Sequence, residues 1–278
     1  MLFRSVLCLL VISGCSRTPN TRVTTIRTDN MAGLQRELRD LTPDLDQFRP
    51  RGPFEVTVVD DHEIRLSDAE RFRADVYLSS PREAAPLVIL LHGYGNSKED
   101  HGYQAMHLAS WGMHSLALQL PGNGPWLEHG ETLARIARHL HAHPASIDPR
   151  VDPSRIILAG HSFGAAAVSI ALGAGAPAIG GVLLDPAGLG APMPAYLRRI
   201  RVPVMVLGAD PALGETRDRH EFFAQIPRGV ADVSVRGAHH EDAQFSLHTA
   251  QEAARSEEYT SELQSHLNLV CRLLLEKK

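Results

Sequence analysis

Three features of the 278-residue sequence predict an α/β fold: a mostly parallel central sheet, helices on both faces and no cap domain. First, Leu87–Leu91, Ile156–Ala159, Ile179–Leu184 and Val202–Leu207 carry no polar side chain, as in strands covered on both faces. Second, helix-period segments alternate with these runs, and crossover connections of that kind join parallel strands. Third, the turn Gly160-His161-Ser162-Phe163-Gly164 stands between the run Ile156–Ala159 and the small residues Ala165-Ala166-Ala167. That is a strand, a sharp turn and a helix in immediate succession.

In chain order, residues 1–14 have the layout of a secretory signal: Arg4, an apolar run from Val6 to Ile12, then small residues. The run is too short for a permanent membrane span. Its end, Ile12-Ser13-Gly14-Cys15, resembles a bacterial lipobox. The resemblance implies cleavage before Cys15 and lipidation of that residue. The expected location is then the bacterial cell envelope, at the outer membrane, with the chain held by its lipid. Residues 15–50 read as a Thr-, Arg- and Asn-rich tether followed by a short amphipathic helix over Met31–Leu41, with Leu34, Leu38 and Leu41 on one side.

Residues 51–254 form the expected domain. Phe54–Val59 and Phe72–Leu78 alternate as an antiparallel pair of strands. Leu87–Leu91 follows, then a helix over Tyr103–Trp111, a strand over His114–Leu120 and a helix over Trp126–His143. The strand of the turn comes next, then strands over Ile179–Leu184 and Val202–Leu207, a helix near Thr216–Ile226 and a strand over Ala231–Val235. The connection from Asp185 to Val202 has room for a loop and little more, so no helical cap is expected.

Candidate chemical groups collect at the carboxyl ends of these strands, where open parallel sheets place their sites. The G-x-S-x-G turn is a nucleophile elbow, which holds Ser162 in a strained turn with its Oγ above the sheet. Gly160 and Gly164 let two backbones approach closely. The turn His92-Gly93-Tyr94-Gly95 ends another strand, and the N–H groups of Tyr94 and Phe163 are the expected oxyanion donors. Two acids compete to orient a histidine: Asp185 ends one strand and Asp210 the next. Two histidines, His239 and His240, follow the last strand. An imidazole there can take and return a proton near neutral pH.

These blocks together (Leu91-His-Gly-Tyr-Gly, Gly160-His-Ser-Phe-Gly, Gly181-Val-Leu-Leu-Asp185 and Arg236-Gly-Ala-His-His240) resemble the α/β-hydrolases. More narrowly, they resemble the platelet-activating-factor acetylhydrolase, chlorophyllase and cutinase-like group. The likeness spans about Phe72 to Phe245. It implies a serine esterase acting through an acyl-enzyme without a cofactor. An uncapped site on a membrane-tethered enzyme suits lipid-like, aromatic or polymeric esters. The alternatives are a cutinase-like polyester hydrolase or a non-catalytic envelope lipoprotein that uses the fold for binding. Asp185 and His240 match the acetylhydrolase positions, with Asp210 as reserve acid. The cutinase-like acid falls slightly beyond Asp210, where this chain has Ala212.

Composition narrows the alternatives. A formal net charge of -4 and no basic stripe argue against nucleic acid as the partner. The expected partners are an ester substrate and, through the lipid, a membrane; the chain itself is expected to be a monomer. Of three cysteines, Cys8, Cys15 and Cys271, none lies in residues 51–254, so neither disulfides nor thiolate metal sites hold that domain together. His139 and His143 share a helical face, but no third ligand accompanies them and no metal is expected. Residues 255–278 resemble a translated sequencing adapter, which implies a non-native tail after about Ala254 and no role for Cys271. The same residues also have a helical stripe: Leu263, Leu267, Val270 and Leu274.

Overall fold

The computed structural model describes residues 21–25, 48, 50–80, 83–213, 218–244, 267–268 and 271–272. The signal segment, Cys15, the helix expected over Met31–Leu41 and most of the tail lie outside the described residues. Strands run β1 Thr21–Thr25, β2 Val56–Arg65, β3 Arg71–Ser79, β4 Ala85–Leu91, β5 His114–Gln119, β6 Val151–His161, β7 Gly180–Leu184, β8 Val204–Gly208 and β9 Gly229–Val235. Helices are α1 Gly102–Ser110, α2 Trp126–Ala142, α3 Phe163–Gly173, α4 Met193–Leu197 and α5 Arg219–Gln225.

The nine strands form one sheet in the order β1-β9-β8-β7-β6-β4-β5-β3-β2. Pairing is parallel from β5 through β4, β6, β7 and β8 to β9. The β2–β3 and β3–β5 pairs are antiparallel. One expectation is corrected here. Residues 21–25, read as part of a tether, pair antiparallel with β9 and add an edge strand. A Thr- and Arg-rich segment has no core-facing pattern to announce it, and the open edge of β9 recruits it through backbone bonds.

The apolar runs are strands because each alternate residue meets a different core. Along β4, Leu87, Ile89 and Leu91 pack on the α2/α3 side, whereas Val88 and Leu90 pack on the α1 side. Along β6, Ile156 and Leu158 take the first side, Ile157 and Ala159 the second. Each fully buried side chain of this size contributes about 1.5–3 kcal/mol. A polar residue on either face would therefore need a buried partner.

The connection after Asp185 is richer than a loop. It holds the short helix α4, whose Met193 and Leu197 bury in the first core. Leu267 and Cys271 are helical and buried in the second core. Cys271, expected to have no role, is thus a packing residue, and burial pushes its thiol well above the usual range. Among the described residues, no helix is long and apolar enough to cross a membrane.

Candidate active site

Parallel register brings the strand ends level: Leu91 pairs with Gly160, His161 with Leu184, and Leu184 with Leu207. The turns that follow β4, β6, β7 and β8 therefore open at one end of the sheet.

Ser162 sits between β6 and α3 at φ 54, ψ −121. A side chain at positive φ is strained by about 1–3 kcal/mol, and the surroundings must hold it there. They do so from both sides. The Ser162 N–H donates to Leu184 O at 2.9 Å, and its carbonyl accepts from the N–H groups of Ala165, Ala166 and Ala187. The flanking glycines make the approach possible. A Cβ at Gly160 would stand 2.6 Å from Gly164 O, and one at Gly164 would stand 2.3 Å from His92 O. No side chain fits at either position.

The 92–95 turn presses on this elbow. A Cβ at Gly93 would lie 3.1 Å from Ser162 Cβ. The His92 ring ties the turn down, its two nitrogens each 2.9 Å from a carbonyl, those of Gly93 and Leu120. The Gly95 N–H donates to Gly122 O at 2.7 Å. Tyr94 follows Gly93 in this turn and Phe163 follows Ser162, and among the described residues neither of their N–H groups donates to another protein group. The Phe163 N–H also opens α3, where the helix dipole favours negative charge.

Of the two acids, it is Asp185 that meets a histidine. The His240 Nδ1–H donates to Asp185 Oδ2 at 2.6 Å. The other oxygen, Oδ1, accepts from the Ala209 N–H at 3.2 Å. Asp210 is occupied elsewhere: its two oxygens accept backbone N–H groups from Gly237 and Ala212, each at 2.9 Å. Those two bonds, Gly237 first, hold the Asp210 carboxyl below the usual range. Asp210 thus braces the turn that carries the histidines and leaves the imidazole alone. The histidine pair resolves as well, with His239 exposed and His240 turned inward.

Sequence reasoning passed over four neighbours. His161 lies beside His240, ring centroids 4.5 Å apart, and its Nε2 faces the His240 carbonyl at 2.9 Å. Burial, then the nearby His240 and His101, push the His161 pKa well below its ordinary value. A neutral ring has one N–H, and the carbonyl places it on Nε2. That bond ties His240 to the residue next to Ser162. Trp126, at the start of α2, stacks on Phe163 at 5.4 Å with an 18° interplanar angle. Tyr94 closes on the same ring at 6.3 Å, making an aromatic wall next to the elbow. Arg219 and Asp232 lie buried behind Asp185. Asp232 had a signal in the sequence: a carboxylate inside the buried strand Gly229–Val235, where Ser234 is the other polar side chain, requires a buried partner.

The rings of His139 and His143 lie 4.8 Å apart and tilted, at the C-terminal end of α2, with His139 half-buried and His143 exposed. Among the described residues, no group of three or more His, Cys, Asp or Glu gathers as metal ligands.

No match is found among curated proteins. Residues 88–269 match the sequence model of the alpha/beta hydrolase family, from the second residue after Pro86 through the elbow, both acids and the histidine turn. With well over half its length matched and the sheet order, elbow and strand-end site to go with it, the chain belongs to the alpha/beta hydrolase family.

Proposed function

We propose that the protein is a serine carboxylic-ester hydrolase, with Ser162 as nucleophile, His240 as general base and Asp185 as the acid that orients it. The observation that carries this reading is the 2.6 Å bond from His240 Nδ1 to a fully buried Asp185, beside a serine held at φ 54. Ser162 Oγ attacks the ester carbonyl as His240 Nε2 takes its proton. Negative charge on the carbonyl oxygen meets the N–H groups of Tyr94 and Phe163; each such donor typically contributes ~10²–10³ in rate. His240 then returns the proton to the leaving alcohol. Water, activated by the same imidazole, releases the acid and restores Ser162. No cofactor enters any step.

Fluorophosphonate labelling tests the assignment directly. Wild-type protein is expected to label stoichiometrically on Ser162 and to turn over p-nitrophenyl butyrate. A protein that uses the fold only for binding would do neither.

Lipid-like, aromatic or polymeric esters are the proposed substrates, and the aromatic wall supports the aromatic class. Flat ring systems gain about 0.5–1.5 kcal/mol from such faces beyond plain burial. Trp126→Ala is therefore expected to raise KM for an ethyl benzoate several-fold, with ethyl butyrate little affected. Equal changes for both esters would remove Trp126 from substrate recognition. The acetylhydrolase-like reading is favoured over the cutinase-like one because Asp210 spends both oxygens on backbone N–H groups.

Attachment to the bacterial envelope through Cys15 completes the proposal, supported by Ile12-Ser13-Gly14-Cys15 after a short apolar run. Metabolic labelling with a fatty-acid analogue should mark wild type and miss Cys15→Ala; equal label on both would refute it.

A further inference from the structure

We propose that Arg219 is a positioning residue for Asp185: its buried guanidinium fixes the acid and sets the field that the acid exerts on His240. The inference rests on the triad reading above and adds a charge relay behind it.

The side chains of Asp185, Arg219 and Asp232 are each 1 % exposed. Arg219 Nη1 lies 3.7 Å from Asp185 Oδ1 and Nε lies 3.1 Å from Asp232 Oδ1. Nη1 also donates to Ala209 O at 2.6 Å, and Nη2 donates to Ser234 Oγ. Residue 209 is therefore clamped twice, since its own N–H donates to Asp185 Oδ1. Gly208 is the slot through which these groups meet. A Cβ there would stand 2.2 Å from Asp185 Oδ1 and 2.7 Å from Arg219 Nη1.

Charge counting explains why a cation belongs there. Without Arg219, two carboxylates would share a dry interior with no guanidinium between them to offset their charge. With it, Oδ1 faces the guanidinium and Oδ2 stays pointed at His240. The guanidinium also tempers Asp185, because its positive charge disfavours the imidazolium that Asp185 favours. Asp232 tempers Arg219 in turn, and its second oxygen accepts from the His220 Nδ1–H. The chain of contacts runs His220, Asp232, Arg219, Asp185, His240.

Other ionisable groups also surround His240. On its far side are His161 and, beyond it, His101. His239, Glu241 and Asp242 share its turn, and Asp210 braces that turn with Arg236 nearby. Asp218, before α5, accepts from the N–H groups of Gly188 and Leu189.

The test is the acid limb of the kcat/KM profile for p-nitrophenyl butyrate, which reports the free enzyme's essential base. Arg219→Gln removes a positive charge, so the imidazolium becomes easier to form and the limb should move up by about half a pH unit or more. Asp232→Asn removes a negative charge and should move it down. Both should lower kcat, Arg219→Gln by ~10–100-fold, with KM nearly unchanged. Opposite shifts from two substitutions in one packed cluster are beyond a merely structural role, which would lower activity and leave the limb in place. Folding is checked by circular dichroism. Should Arg219→Gln not fold, the near-isosteric Asp232→Asn decides alone. Should neither fold, Arg219→Met with Asp232→Leu removes the buried pair without stranding a charge, and kcat must still fall at least ~10-fold. A limb that stays put in a folded single variant, or full kcat in the double variant, overturns the proposal. Failure of the triad itself looks different: wild type would then resist fluorophosphonate.

Discussion

Ser162→Ala is expected to lower kcat for a short-chain p-nitrophenyl ester by about 10⁶-fold and to abolish fluorophosphonate labelling, with the fold intact. The size of the loss follows from chemistry. Without Oγ there is no acyl-enzyme, and what remains is the catalysis that the Tyr94 and Phe163 N–H groups and binding give to direct attack by water. The fold survives because what holds the elbow is backbone. Ser162 N–H and C=O are satisfied by Leu184, Ala165, Ala166 and Ala187, and none of those bonds uses the hydroxyl. Alanine takes up the same positive φ at similar strain. Circular dichroism and a melting curve check the fold, and single-turnover kinetics check the loss. Retention of more than about a hundredth of the wild-type kcat would move the nucleophile elsewhere.

Asp185→Asn should lose ~10⁴ in kcat, whereas Asp210→Asn should stay within about tenfold of wild type. The difference lies in what each carboxylate accepts. Asp185 takes the Nδ1–H of His240, and an Asn there can present its NH₂ group instead, favouring the wrong tautomer and offering no charge to the imidazolium. Asp210 takes two backbone N–H groups, so its amide counterpart keeps one acceptor and strands the other donor. That weakens the turn carrying His240 without touching the ring. The stability effect carries a pH signature. A carboxyl whose folded pKa is depressed stabilises above its unfolded value and loses that contribution as pH falls through the folded value. The gap in stability between wild type and Asp210→Asn should accordingly narrow on acidification. Measuring kcat for both variants, with melts across pH, decides the point. If the larger loss follows Asp210, the polyester-hydrolase alternative moves ahead.

Local patterning was sufficient for most of the scaffold. Every strand from Val56 to Val235 and the three longer helices stand where periodicity put them, with ends shifted by a few residues except where β2 and β6 run longer. The reason is that a parallel sheet between two helical layers writes itself as unbroken apolar runs, and each run needs no information beyond its own residues. The elbow was legible for a similar reason: Gly160, Ser162 and Gly164 meet one another within five residues, and the close approach that excludes a Cβ is already implicit in their spacing. The short helix α4 was missed because two prolines and a five-residue length give periodicity little to work on.

Partner choice was beyond the reach of the linear sequence. Asp185 and Asp210 each end a strand and each precede a proline, and only register shows that one reaches His240 while the other braces Gly237. His239 and His240 are adjacent in the chain, yet His239 is exposed and His240 half-buried. Arg219 reads as one more charge at the start of a helix, yet it lies fully buried between two carboxylates, one just after β7 and one within β9. Side-chain periodicity reports which face a residue takes. It carries no record of which distant group waits on that face, because such contacts are made by strand order across the sheet, and strand order is a property of the folded whole.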